Sequence, residues 1–301
     1  SPSPIGTDTP NTKEQQTEYG LTIAKPENDD VLTDTSYELA GLAKPNNILI
    51  LTTPDEDFMK KVDAKGGFSA NLEANGGTNN LSVHSISSDN SLLSESLTIV
   101  YTSKLVIPTE QTETSTDSGS IEQKVRDKVN QALNRPKAYI GSITDITENA
   151  IQIKNLRSEV KQISISKTTT YAKVGKVTKD IEFADLAIGD SIIAMGFKNG
   201  NNILAAGRIL VDTSAQTIPP SFILGKISAV TKKQLTVAEV GKEITWTVTY
   251  TSDVKIQNLE KDAPVDITFA DLETDNVIAI VGDAKDNAFT ARSIFLINTG
   301  K

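Results

Sequence analysis

From Gly20 to Lys104 the chain alternates apolar and polar side chains in short runs, and each run ends on turn residues. Alternation of period two sends successive side chains to opposite faces, so these runs read as half-buried strands. Leu21/Ile23, Tyr37/Leu39, the runs at 48–51, 58–62 and 68–72, Leu81/Val83 and Leu97/Ile99/Tyr101 give seven strands. Between them Pro26-Glu27-Asn28-Asp29-Asp30, Lys44-Pro45-Asn46-Asn47, Lys65-Gly66-Gly67 and Asn75-Gly76-Gly77 supply the preset or positive φ that a reversal needs. Short strands at this spacing predict an immunoglobulin-like β-sandwich over residues 20–104.

The second half carries a duplication. Ile140-Gly141-Ser142-Ile143-Thr144-Asp145-Ile146 returns as Leu224-Gly225-Lys226-Ile227-Ser228-Ala229-Val230. The correspondence continues: Gly141 matches Gly225, 84 positions on, Leu186 matches Leu272, 86 on, and Ile209 matches Ile294, 85 on. Strands in the first copy read from 140–143, 150–153, 160–165, 191–196 and 203–211. The strongest shared string is Phe183-Ala184-Asp185-Leu186-Ala187-Ile188-Gly189-Asp190 against Phe269-Ala270-Asp271-Leu272-Glu273-Thr274-Asp275-Asn276. A Phe and a Leu around a one-turn helix, then a Gly/Asp turn into a strand, suits the closure of a small barrel. Residues 137–213 and 221–301 are therefore predicted as two tandem OB-like β-barrels, joined by a linker over 214–220. Gly189 has Thr274 or Asp275 as its counterpart, so the second turn is expected to be built differently.

The remaining segments have other patterns. Residues 1–19 form a Ser/Pro/Thr-rich stretch with hardly an apolar side chain, expected as a stalk or arm. It reads as the stretch left after removal of a signal peptide or N-terminal anchor, or equally as the start of a cloned fragment. Residues 105–119, rich in Thr, Ser and Glu, read as a flexible linker, and the domains on either side are expected to move independently. One amphipathic helix is predicted over 120–136, opened by Ser120-Ile121-Glu122-Gln123 and stopped before Pro136. Its apolar stripe of Ile121, Val125, Val129 and Leu133 must dock, and docking on the following barrel is favoured over a coiled-coil contact with another copy. The fold class is thus mainly β: a sandwich, one short helix and two barrels.

Composition narrows the chemistry. The 301 residues include no cysteine, which excludes disulfides, thiolate metal sites and cysteine nucleophiles. Net charge is −9, and no basic stripe offsets it, so nucleic-acid binding is disfavoured. No apolar run approaches the length of a membrane span; the longest candidates lie at 47–51 and 277–281. His84 is the one histidine. If Leu81 and Val83 face the core, alternation sends Ser82 and His84 outward, and a solvated imidazole is favoured over catalysis or metal ligation. Asp29, Asp30 and Asp34, and Asp55 with Asp57 around Glu56, lie in turns where oxygen ligands could gather Ca2+. Neither set has EF-hand spacing, so solvated turn charges are favoured and no cofactor is expected.

In the run Ile244-Thr245-Trp246-Thr247-Val248-Thr249-Tyr250 the apolar residues share one face and the threonines the other. Trp246 is therefore expected in the core; if that face is exposed, Trp246 and Tyr250 become the best sugar-binding pair.

Two resemblances rest on these residues. The order Pro26, Asp34, Tyr37-Glu38-Leu39-Ala40-Gly41, Ala43-Lys44-Pro45-Asn46, Val62-Asp63-Ala64-Lys65-Gly66-Gly67-Phe68-Ser69, Leu72 and Gly76-Gly77-Thr78-Asn79-Asn80-Leu81-Ser82-Val83 resembles bacterial Ig-like modules akin to domain B of glucodextranase. That resemblance implies an accessory domain of secreted and surface proteins, with no catalytic residues. Gly141-Ser142-Ile143, Asp185-Leu186-Ala187-Ile188-Gly189-Asp190 and Ala206-Gly207-Arg208-Ile209 resemble a family of small β-barrel domains of unknown function that recur in tandem in bacterial exported proteins. It implies fold and export, not chemistry.

The leading expectation is a non-catalytic, extracellular cell-surface structural protein, a spacer, adhesin-like module or self-assembling subunit. Self-association would use strand edges or the N-terminal arm. The alternative is a carbohydrate-binding accessory protein that holds a surface polysaccharide.

Overall fold

A computed structural model describes residues 20–105, 135–175, 177–212 and 218–298. The expected stalk, all but Leu105 of the expected linker, and the expected helix up to Asn134 lie outside the described residues. Those described form mainly β structure.

The N-terminal domain contains β1 (Thr22–Lys25), β2 (Val31–Leu32), β3 (Ser36–Leu42), β4 (Ile48–Thr52), β5 (Asp57–Lys61), β6 (Gly67–Glu73), β7 (Gly77–Ile86) and β8 (Leu92–Tyr101). They form two sheets, β1-β3-β6 and β2-β8-β7-β4-β5. Leu39, Leu49, Leu51, Phe68, Leu72, Leu81, Val83, Leu97 and Ile99 fill the space between the sheets. Each is the inward member of an alternating run, which is why the strands are visible in the sequence. Strand β2 has two residues and no alternation to read; it lies parallel to β8.

The first repeat contains β9 (Lys137–Thr147), β10 (Ala150–Lys154), β11 (Val160–Ser164), β12 (Thr170–Lys173), β13 (Lys179–Ile181), a 3-10 turn (Phe183–Asp185), β14 (Ser191–Lys198) and β15 (Leu204–Val211). Strands β9, β10, β11, β15 and β14 close into a five-stranded ring, sealed by parallel pairing of Ile163 with Leu204 and Ser164 with Ala205. The second repeat contains β16 (Ser221–Val230), β17 (Gln234–Glu239), β18 (Thr245–Glu260), β19 (Ala263–Asp266), a 3-10 turn (Phe269–Asp271), β20 (Val277–Lys285) and β21 (Ala288–Asn298). Its ring is β16-β17-β18-β21-β20. The one long strand β18 takes the places of both β11 and β12, pairing with β17 at its start and β19 at its end.

Glycines mark the matching corners of both rings. A Cβ on Gly196 would overlap the carbonyl oxygen of Ala205, and one on Gly282 that of Thr290; each glycine sits at a bulge. Only a residue without a side chain lets the two strands approach so closely.

The two closing turns match, contrary to expectation. Gly189 has φ +95° and Asp275 φ +70°. Their N–H groups donate to the carbonyls of Ile143, 2.8 Å, and Ile227, 2.9 Å. Asp275 thus occupies the place of Gly189, because aspartate tolerates the left-handed conformation better than most residues.

The sandwich and the two barrels also pack on one another. The five-stranded sheet of the sandwich has a second, outward face, and both barrels pack on it. Val31, Val100 and Leu105 meet Ala138, Ala172, Ile193, Met195 and Leu210 of the first barrel. Ile50, Met59 and Ile86 meet Leu224, Val277, Ala279, Val281 and Phe295 of the second. Each large side chain fully buried in this way contributes about 1.5–3 kcal/mol relative to exposure. Separating either barrel would expose several at once.

Both edge strands of that sheet also lie against a barrel. At β2 the Val31 N–H donates to the Pro136 carbonyl, 3.0 Å, and the Ala138 N–H to the Asp29 carbonyl, 2.8 Å. At β5 the second barrel brings up β18 and β19. Strand-edge association at β2 is therefore obstructed within the chain itself.

Candidate binding cleft between the sandwich and the barrels

Between its two apolar flanks the outward face of β7 and β8 is polar. Alternation that sends Leu81, Val83, Leu97 and Ile99 inward turns Asn80, Ser82 and His84 of β7, and Ser94, Ser96 and Thr98 of β8, outward. They pair across the strands: Thr98 Oγ1 donates to Asn80 Oδ1, 2.8 Å, Ser82 Oγ lies 3.0 Å from Ser96 Oγ, and His84 Nδ1 lies 2.8 Å from Ser94 Oγ. The first barrel stands on one side of this ladder and the second on the other.

The cavity on the first barrel's side has a volume of about 420 Å3. Its walls include Asp29, Asn80 and Thr98 of the sandwich and Tyr139, Leu156 and Lys161 of the barrel. Tyr139 donates its hydroxyl to Asn202, 2.8 Å from the carbonyl oxygen, and the ammonium nitrogens of Lys161 and Lys198 lie 5.8 and 5.1 Å from its ring centroid. Asp29 projects here from a backbone with φ +66°. Burial holds its carboxyl above the usual carboxylate range even though Lys198, Lys137, Lys161 and Arg157 pull the other way. Burial likewise lowers the Lys198 ammonium. The cavity on the other side, about 600 Å3, is bounded by His84, Ser94, Phe222, Glu239 and Lys242. Ser96 and Pro219 touch both cavities, so the two are halves of one trough.

Ion pairs also join the sandwich to each barrel. Lys137 reaches Asp30, 2.7 Å, and Glu27, 2.8 Å, from the first barrel. The Lys137 ammonium holds the Glu27 carboxyl below its ordinary value. From the second barrel Arg292 forks onto Asp57, Nε to Oδ2 at 3.0 Å and Nη2 to Oδ1 at 2.6 Å, and also donates to the carbonyls of Pro54, 2.8 Å, and Thr53, 3.0 Å. A bidentate pair of this kind is the strong form of an ion pair.

The sequence candidates fall as follows. His84 is outward of the sandwich core, as alternation requires, but it is not solvated: it is 7% exposed and stacks on Phe222 with ring centroids 3.7 Å apart. The second barrel covers it, and periodicity cannot say what covers a face. Trp246 and Tyr250 are half-buried against the second barrel's core. Trp246 meets Phe289 edge-on and donates its indole N–H to Glu239, 2.9 Å; Tyr250 stacks on Phe269. The acidic turn residues separate. Asp30 and Asp57 are buried in ion pairs, Asp29 enters the cleft, Asp34 is exposed, and Asp55 accepts a hydrogen bond from Asn75, 2.7 Å. Among the described residues no three His, Asp or Glu side chains gather as a metal would require.

Sequence reading does not single out the Ser/Thr/Asn ladder, Tyr139, Lys161 or Arg292. A polar outward face looks the same in sequence whether water or another domain lies beyond it. No described helix is long and apolar enough to cross a membrane.

No protein-family model and no curated protein match the chain. Among solved structures it is similar to one described as a Ca2+-stabilized adhesin that helps an Antarctic bacterium reach out and bind ice, at 14% identity and TM-score 0.21, covering 91% of this chain and 73% of that one. Another is Drosophila Unr CSD456, at 11% identity and TM-score 0.20, covering 79% and 90%. A third concerns host cell surface retention of a 1.5-MDa bacterial ice-binding adhesin, at 12% identity and TM-score 0.19, covering 90% and 95%.

Proposed function

We propose that this chain is a non-catalytic structural module of the bacterial cell surface, adhesin-like in that it presents a rigid block outside the envelope. The observation that carries the reading is the sharing of one sheet. A single face of the sandwich is buried on both barrels, and a buried bidentate ion pair locks one of the joints. Such a body transmits force and fixes spacing, whereas beads on linkers would not. The sandwich, with sheets of three and five strands, supports an Ig-like reading. The ring order, with the third strand parallel to the fifth, supports an OB-like reading of each repeat. The chain's one histidine is engaged in a domain joint, its ring stacked on Phe222 and its Nδ1 2.8 Å from Ser94 Oγ.

Antibody labelling of intact cells that produce the protein tests the location. The proposal expects labelling without permeabilisation; labelling only after permeabilisation would remove it.

A further inference from the structure

The trough on β7 and β8 has the size and the chemistry of a ligand site. Cavities of about 420 and 600 Å3 fall within the range of small-molecule pockets, and together they run along the ladder beneath Pro219. The described polar groups are mixed in kind. Asp29 offers a carboxylate that forms no side-chain hydrogen bond among the described residues, Lys161, paired with Glu159 at 3.0 Å, has further N–H donors, and the exposed residues Ser94 and Ser96 present hydroxyls that also pair with His84 and Ser82. A phosphate chain would meet Asp29 on one side and Glu239 on the other, within a protein of net charge −9. An apolar ligand would leave Asp29 buried without a donor, which is unfavourable. Hydroxyl groups satisfy both demands, since each donates one hydrogen bond and accepts others.

The rim supplies the complementary apolar surface. Leu156 is 63% exposed at the edge of the first cavity, and Val240, 37% exposed, and the half-buried Phe222 edge the second. These can pack on the C–H faces of sugar rings while hydroxyls reach the ladder.

We infer that the trough binds an uncharged polysaccharide strand laid along β7 and β8 between the two barrels, with Asp29 accepting from ring hydroxyls at one end. This goes beyond the structural role, and the cell-labelling result is independent of it.

The test is calorimetric titration of the full chain with the hexasaccharides of β-1,4-linked glucose, N-acetylglucosamine and mannose, with polyphosphate as the anionic competitor. At least one neutral hexasaccharide binds, and polyphosphate does not displace it. Ser96→Trp, which fills both halves of the trough from an exposed strand position, abolishes binding. Asp29→Asn, which keeps a side chain tolerant of positive φ, weakens it by about tenfold or more. Leu156→Ser, on an exposed rim position, serves as a second variant should Ser96→Trp fail to fold, and it also weakens binding. Absence of binding to all three sugars, unchanged affinity in the folded variants, or displacement by polyphosphate overturns the inference.

Discussion

Arg292 of the second barrel holds Asp57 of the sandwich through two parallel hydrogen bonds of 3.0 and 2.6 Å, with the carboxylate fully buried. The two residues are 235 positions apart in the chain, so this pair forms only when the sandwich and the barrel have docked. Removing the guanidinium strands a buried charge, which typically costs about 3–5 kcal/mol. Arg292→Ala should lower the urea midpoint accordingly, and Arg292→Lys should recover only part, because an ammonium cannot fork onto both oxygens. A loss below about 1 kcal/mol, the value of an exposed pair, would show that the joint is open in solution.

His84 makes the same joint sensitive to acid. Burial against Phe222 lowers its pKa from 6.5 to about 4. The folded form therefore binds fewer protons than the unfolded chain between these values. Stability from this group is fully present above about pH 6.5, falls as the pH drops towards 4, and levels off below. The span corresponds to about 3 kcal/mol. His84→Gln should flatten the dependence of the urea midpoint between pH 6.5 and 4; an unchanged slope would place the dependence on other groups.

The turn at Asp275 gives a prediction about the duplication. Asp275→Gly should be nearly neutral, since Gly189 holds the equivalent position, although the 2.7 Å pair with Lys226 is lost. Asp275→Val, which places a β-branched residue at positive φ, should cost about 1–2 kcal/mol. Thermal melts of the two variants decide it: equal effects would contradict the assigned conformation.

Gly196 and Gly282 have no room for a methyl group, the obstacle being backbone in each case. Either alanine variant should lose about 2 kcal/mol or more, or shift the bulge. A neutral result at Gly282 would mean that the second ring closes in another way.

Much of the architecture is readable because strands that face a core leave a period in the sequence. Leu81 and Val83 set the face of β7, and the pairs Gly141/Gly225 and Leu186/Leu272 hold equivalent places in the two rings. What escapes is the surface that lies opposite each face. His84 reads as solvated because alternation turns it outward with Ser82, away from Leu81 and Val83, yet a barrel more than a hundred residues downstream covers it. Asp57 reads as a turn charge, and only the fold brings Arg292 beside it. The hairpin of β12 and β13 is short and mostly exposed, so it leaves no alternation to detect. The cleft is hidden for the same reason: it is made by docking, and docking leaves no local pattern.

Distance measurement between spin labels tests the rigid three-domain body most directly, and the absence of native cysteine makes it clean. Labels at Lys65→Cys in the sandwich paired with Lys167→Cys in the first barrel, or with Lys233→Cys in the second, report on each joint in turn. Sharing of one sheet by both barrels predicts a single narrow distance distribution for each pair. Broad or multiple distributions in either pair would contradict it.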